Sequence, residues 1–491
     1  MKFKPRFPFL FALSLIIMVE LFSFTAYFQP SLQAYLLAAS FLAVFLLSLK
    51  NLELGLLIAA VELVIGSKGH LFSQVIFGFP VSLRLAIWAA LMLAALIFII
   101  RHGVRRSWQD YLRSFKFWPY LIAFVALIII GIAQGLLRGY DFVTILSDAN
   151  AWLFLGLIIP ILIVYAQADA EKLKRLQQYF FLALVWLSFK TLALVFIFSH
   201  NLLIMPDIYL WVRRSGIGEI TAMGGGWQRV FIQSQIYAPI AYFALLMSLV
   251  YSKIAKSRQA LIIGALSVLM AVIIISMSRS FWLAFGAAGA LMALYSFRLD
   301  YKKYFRAFLY LLLSLLGAAI IIFITVKFPF PNPNAGLSAD ALAARLDFSG
   351  DEAALASRWS QLPNLWSEIK RSPLVGLGFG SSVSYYSQDP RVLAENPDGW
   401  YTTYAFEWAY LDTWLKLGII GLTPLLIWLI LQLSYWLRSS GEHRPLYLSL
   451  AAGLIFLMTV NIFTPYLNHP LGLAFLLFSS CFFQQKHYNT N

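Results

Sequence analysis

Apolar residues in this chain come in long unbroken runs, and the polar residues gather in the gaps between them. Crossing about 30 Å of hydrocarbon takes roughly 20 residues of helix. Runs of that kind lie at 8–28, 31–49, 52–67, 82–100, 118–137, 151–167, 177–199, 236–252, 259–277, 280–297, 307–326, 411–437, 445–463 and 467–485. The third is short and the last contains His469, so the expected number of spans is 12–14. Backbone groups in lipid must pair within their own segment, which makes such spans helical. The pattern therefore predicts an all-α, polytopic integral membrane protein. It divides into N-terminal transmembrane helices (1–199), central helices with an outer loop at 200–235 (200–327), a large outer loop (328–410) and C-terminal transmembrane helices (411–491). No fixed-period repeat or low-complexity tract interrupts that order.

Composition excludes one broad class and leaves another open. Of 491 residues, 61% are hydrophobic and 12% charged, with a mean hydropathy of +0.77. A water-soluble enzyme of this size exposes more charge than that. The formal net charge of +15 would suggest nucleic acid in a soluble chain. In a membrane protein it first has to be mapped onto the two sides. Met1-Lys2-Phe3-Lys4-Pro5-Arg6 before an apolar run looks like a signal peptide, but Glu20, Phe28 and Gln29 make a poor cleavage site, so an uncleaved first helix is expected. With the amino terminus inside, the cytoplasmic loops hold 22 cations and six acids, and the outer side holds 14 of each. Glu20, Glu62 and Lys190 lie within spans. The excess is thus a topology signal, predicting a multi-pass plasma-membrane protein with both termini cytoplasmic and no nucleic-acid partner. The single cysteine, Cys481, excludes an intramolecular disulfide and a cysteine-based zinc site.

Candidate chemistry collects on the outer side. The segment from Phe328 to Tyr410 carries Trp359, Trp366, Trp400 and Trp408 and a helix-like stretch from Ala353 to Lys370, so it is expected to be packed. The outer cations are ten arginines against four lysines, whereas the inner set is 11 of each. Arginine's planar fork suits bidentate binding of phosphate or carboxylate, although pairing with outer acids or lipid head groups explains the same residues. Arg279 stands in Ser278-Arg279-Ser280, a turn between two spans, at the level of a lipid-linked phosphate. Arg229 follows Gly224-Gly225-Gly226-Trp227-Gln228, where glycines permit a ligand close to the backbone. Arg213 and Arg214 are adjacent, so on a regular element only one of them can face a site. For a proton acceptor, Glu407 and Asp412 lie at the entry to the span beginning near 411. The alternative for Glu407 is an ion pair with a loop arginine. His469, between Asn468 and Pro470, reads as a helix-end cap. Gly376-Leu377-Gly378-Phe379-Gly380 lacks the Lys-Ser/Thr of a phosphate-binding loop, which rules out a nucleotide site. Glu20 and Lys190 are intramembrane charges that have each other as possible partners.

Three stretches resemble the bacterial O-antigen ligase and polymerase family, the membrane enzymes that handle undecaprenyl-linked glycans of lipopolysaccharide and the cell envelope. They are Ile275-Ser276-Met277-Ser278-Arg279-Ser280-Phe281-Trp282; Arg358-Trp359 through Trp366, Ile369 and Ser372-Pro373-Leu374-Val375-Gly376-Leu377-Gly378-Phe379-Gly380; and Tyr410-Leu411 with Leu417-Gly418-Ile419-Ile420-Gly421-Leu422. Together they cover about 260–425. The resemblance implies a glycosyltransferase that moves a glycan from an undecaprenyl-diphosphate carrier to a sugar hydroxyl of a glycan or lipid-linked acceptor, with neither metal nor cofactor. It implies a diphosphate-binding role for Arg279 and Arg229, with Arg213 or Arg214 as competitors for the latter, and a periplasmic loop that supplies the base. Glu407-Trp408 stands where many members have His-Asn, so either Glu407 is the base or the acceptor is activated differently. The competing expectation is a transporter or flippase of the same lipids, which would carry charges along a mid-membrane path.

Overall fold

The computed structural model describes residues 6–102, 117–165, 170–223, 228–252, 254–297, 301–331, 333, 353–441 and 443–482. Helix occupies each of the apolar runs. In the first half these are α1 (Arg6–Phe28), α2 (Ser31–Lys50), α3 (Leu52–Ile65), α4 (Leu83–His102), α5 (Trp118–Leu137), α6 (Phe142–Ala149), a 3-10 turn (Asn150–Leu157), α7 (Ile158–Tyr165) and α8 (Ala170–Ser199). A short α9 (Met205–Arg214) precedes α10 (Tyr237–Tyr251), α11 (Lys256–Ile275), α12 (Arg279–Phe297) and α13 (Tyr301–Lys327). After them come α14 (Ala353–Arg371), α15 (Pro390–Glu395), α16 (Ala409–Arg438), α17 (Arg444–Val460) and α18 (Pro470–Ser479). Among the described residues ten stretches are long and apolar enough to cross a membrane, which makes this a multi-pass membrane protein. The other four runs are helical in α3, α12, α17 and α18.

Three antiparallel hairpins complete the fold: β1 (Ser73–Ile76) with β2 (Phe79–Ser82), β3 (Glu219–Ala222) with β4 (Gln228–Phe231), and β5 (Val383–Tyr386) with β6 (Trp400–Thr403). All sit at one end of the helices. The backbone of Ser73 donates to the Gln33 side chain, that of Gln233 to Ser67 Oγ, and Tyr466 Oη to the Gln233 carbonyl. The Trp408 ring, close after β6, meets Phe463 of the same α17–α18 connection. The expected helix from Ala353 is present and runs to Arg371, so the large loop is packed where it is described. Its own small core joins Leu365, Ile369, Leu377, Val383, Phe406 and Leu415.

Charges inside the bundle are paired. Lys190 of α8 meets Glu20 of α1 at 2.6 Å and also donates to the Ile65 carbonyl at 3.0 Å. Glu62 of α3 takes two hydrogen bonds from Arg84 at the start of α4, at 2.9 and 3.1 Å. An unpaired charge at such depth costs several kcal/mol or drives neutralisation, so these pairs fix which helices lie side by side.

The glycine run of the large loop enters the bundle. Helix α16 is broken at Gly418, whose φ of 67° and ψ of −179° are not helical. A break orphans carbonyls before it and N–H groups after it. Here the carbonyls of Leu415 and Lys416 accept from the backbone of Leu377 (2.7 Å) and Gly378 (3.0 Å). The backbone N–H groups of Ile419 and Ile420 donate to the Pro373 and Leu374 carbonyls at 3.0 and 3.2 Å. On the other side Phe379 donates to the Gly131 carbonyl of α5 at 3.0 Å. Irregular backbone between membrane helices is tolerated only where protein partners satisfy it, and this segment and the break satisfy each other. Only glycine fits at Gly418, because a Cβ there would lie 2.0 Å from the Leu374 carbonyl oxygen. At Gly376, with φ of 76°, a Cβ would come within 2.5 Å of Lys416 backbone atoms. The motif is a packing device.

Candidate functional site

The corner between α11 and α12 is built from its serines. Ser276 Oγ donates to the Ile273 carbonyl at 2.6 Å, and the Ser278 backbone donates to Ser276 Oγ at 3.3 Å. Met277 between them has φ of 44°, a left-handed conformation that costs a non-glycine residue about 1–3 kcal/mol. Surrounding structure must hold it there. The Trp282 indole clamps the corner by donating to the Ile273 carbonyl at 3.1 Å, and Phe281 is fully buried against Phe231, Phe456 and Tyr466. Arg279 is thereby the first residue of α12, half-buried at the corner.

Strand β4 brings Arg229 to the same corner. Its Nε donates to the Ser276 carbonyl at 2.8 Å, three residues before Arg279. The guanidinium lies 4.7 Å from the centre of the Phe231 ring, and Nη1 is 3.8 Å from Glu219 Oε2 on the paired strand. The side chain is 16% exposed. Arg229 is thus tied to the corner at which Arg279 begins α12, although the two are distant in sequence. Gly224-Gly225-Gly226-Trp227, expected to let a ligand approach, lies outside the described residues.

Arg213 and Arg214 do not join them. Arg213 at the end of α9 donates to the Ile220 carbonyl at 2.8 Å and packs over Tyr209, so it braces the hairpin. Arg214 beside it is exposed.

Tyr466 is a neighbour that sequence reading does not single out. Its ring packs on Phe281 with centroids 5.8 Å apart, and its hydroxyl donates to the Gln233 carbonyl. Burial pushes the phenol well above its usual range; the Glu219 carboxylate adds to that and Arg229 opposes it. The α17–α18 connection that carries Tyr466 reaches both halves of the site. Phe463 meets Trp408 with centroids 6.0 Å apart, and the Asn468 amide donates to the Ala409 carbonyl and to Asp412 Oδ2, each at 3.0 Å.

Glu407 stands just before α16 at the junction with α14. Its carboxylate forms an ion pair with Arg358 Nε, and the two side chains are 47% and 41% exposed. The Trp408 indole donates to the Arg358 carbonyl at 3.1 Å, and its ring packs on Trp359. So Glu407 does pair with a loop arginine and also keeps open surface. Asp412, the other carboxylate at this entry, is buried against Lys416 at 2.5 Å and Asn468. His469 caps α18 by accepting from the Leu471 backbone at 3.4 Å. Burial lowers its pKa well below the usual histidine value, and Arg84, Lys68 and His70 add to the effect. It is the helix cap that its position suggested.

Below the corner lies an apolar groove of about 700 Å³ between α10, α11, α12 and α13. Ile273 and Trp282 form its upper end, Gly286 and Gly289 widen its middle, and Lys303 and Tyr304 stand at the far end.

Residues 263–426, a third of the chain, match the family model described as O-antigen ligase. That stretch is therefore similar to the O-antigen ligase family, which supports a membrane protein of polysaccharide biosynthesis. It includes the Ser276–Ser280 corner, the glycine run and Glu407, and leaves out Arg229 and Tyr466. A comparison with curated proteins finds no match.

Proposed function

We propose that this protein is a glycosyltransferase of the O-antigen ligase and polymerase type. It transfers a glycan from an undecaprenyl-diphosphate carrier to an acceptor sugar hydroxyl at the periplasmic face of the bacterial inner membrane. The observation that carries the reading is the bond from Arg229 to the Ser276 carbonyl, which brings Arg229 to the corner where Arg279 begins α12. The groove directly below, from Trp282 to Tyr304, suits a polyprenyl chain whose diphosphate sits at that corner. The charge asymmetry of the loops supports placing the hairpin end outside and both termini in the cytoplasm.

The chemistry follows from these residues. The bond between the anomeric carbon and the diphosphate oxygen breaks, and the acceptor oxygen forms a new bond to that carbon. The electron pair leaves with undecaprenyl diphosphate, whose growing negative charge Arg279 and Arg229 stabilise; prepositioned donors of this kind are commonly the largest catalytic contribution. No metal is required for that neutralisation. The acceptor proton goes to Glu407, held by Arg358 and open to solvent on one side. No nucleotide is consumed, because the donor bond carries the activation.

The test is incubation of the purified protein with an undecaprenyl-diphosphate glycan, with and without an acceptor lipid. Release of undecaprenyl diphosphate with a lengthened glycan identifies a polymerase, and transfer only to the added acceptor identifies a ligase. Absence of both refutes the enzyme reading in favour of lipid transport.

A further inference from the structure

At the end of the bundle opposite the hairpins, α2, α3, α4, α7 and α8 leave a cavity of about 500 Å³. Its cations each stand at a helix end: Lys50 is the last residue of α2, Arg101 lies one residue from the end of α4, and Lys172 is in the first turn of α8. The lining holds one acid, Glu53, and that carboxylate is already held by Arg175 through hydrogen bonds of 2.9 and 3.1 Å. Among the described lining residues the cations therefore outnumber the acids, and the carboxylate present is held from elsewhere. Ser48 also lines the cavity, with its hydroxyl turned toward Gly55 of α3. Other walls are apolar, among them Phe98 and Ile163.

We propose that this cavity binds the phosphodiester headgroup of an anionic phospholipid, independently of the glycan site. Lys50 and Arg101 face the phosphate, and the acyl chains leave along the apolar wall between α4 and α7. The cations lie where apolar helices end, the depth of a lipid phosphate, and a basic pocket between helix ends is the form such sites take. A free phosphate would leave the apolar wall without an occupant, so the lipid is the better fit. A bound lipid would tie together the ends of α2, α4 and α8.

The test uses the full-length protein in detergent, with native mass spectrometry and thermal unfolding as readouts. Probes are phosphatidylglycerol, phosphatidylethanolamine and inorganic phosphate. Phosphatidylglycerol should be retained and raise the unfolding midpoint, while the other two do neither. Each cation near a lipid surface contributes about 1 kcal/mol, so Lys50→Gln with Arg101→Gln should weaken retention roughly 30-fold. Arg101→Gln alone should weaken it roughly 5-fold, which keeps the test available if the double variant does not fold. Arg438→Gln, an exposed cation at the end of α16, should leave retention unchanged. Equal retention by wild type and Arg101→Gln overturns the assignment. Stabilisation by inorganic phosphate equal to that by phosphatidylglycerol overturns the choice of a lipid.

Discussion

Replacing Lys416 by methionine removes the one cation between two buried carboxylates. Lys416 Nζ pairs with Asp148 of α6 and, at 2.5 Å, with Asp412 one turn earlier on α16. The three side chains are 4%, 4% and 11% exposed for Lys416, Asp148 and Asp412. Asp148 also accepts from the Gly380 backbone at 2.9 Å, so the cluster joins α6, the glycine run and α16. With an effective dielectric constant of about 20, charges 2.5 Å apart attract by about 7 kcal/mol, gross of desolvation. Removing one partner of a buried pair leaves the other uncompensated and costs about 3–5 kcal/mol, whereas replacing all members by apolar isosteres is near neutral. Lys416→Met should therefore lower the thermal midpoint strongly, with the glycine run loosening first. Adding Asp148→Asn and Asp412→Asn should recover most of the loss. The assay is unfolding in detergent, with limited proteolysis near residue 380 as the local readout. If Lys416→Met unfolds at the wild-type temperature, or the triple variant unfolds below the single one, the cluster is not the brace described.

Three further outcomes follow from the same geometry. Gly418→Ala should cost more than about 3 kcal/mol, from left-handed strain and collision with the Leu374 carbonyl, whereas Gly264→Ala, with open space around it in α11, should be neutral or slightly stabilising by unfolding midpoint. His469 has a pKa lowered by folding, so the unfolded chain binds more protons between the folded value and about 6.5. Stability should be full above about pH 6.5 and fall as the pH drops below it, and His469→Asn, which can still cap α18, should flatten that fall in unfolding midpoints at pH 5 and 7.5. Glu407→Gln should slow glycan transfer by about 100-fold or more if the carboxylate is the base, read by release of undecaprenyl diphosphate at unchanged midpoint; a rate within a few-fold of wild type would move attention to the α17–α18 connection.

The helices were legible because each apolar run is long enough to be decided locally. So were the packed helix from Ala353 and the cap at His469, which depend on neighbours in sequence. What could not be read was the order of the helices. Glu20 and Lys190 had each other as possible partners, and only the packing of α1 on α8 joins them. Arg229 was visible as a cation near a glycine run, but its bond to Ser276 crosses 47 residues. Tyr466 carried no signal at all, since its place beside Phe281 and Arg229 is set by where α17 and α18 stand. The glycines at 376 and 418 were noticed as a motif, and their reason is a mutual backbone pairing that spacing alone does not express.

The central claim is that Arg229 and Arg279 act together on the donor diphosphate from one corner. Its most direct test is single-turnover transfer from an undecaprenyl-diphosphate glycan by Arg229→Ala, Arg279→Ala and the double variant, each matched to wild type in folding. Loss of one preorganised donor costs about 100- to 1,000-fold in rate. Each single variant should fall by that amount, and the double variant should fall by less than the product of the two, as groups acting on one leaving group do. Wild-type transfer rates in the double variant would contradict the account.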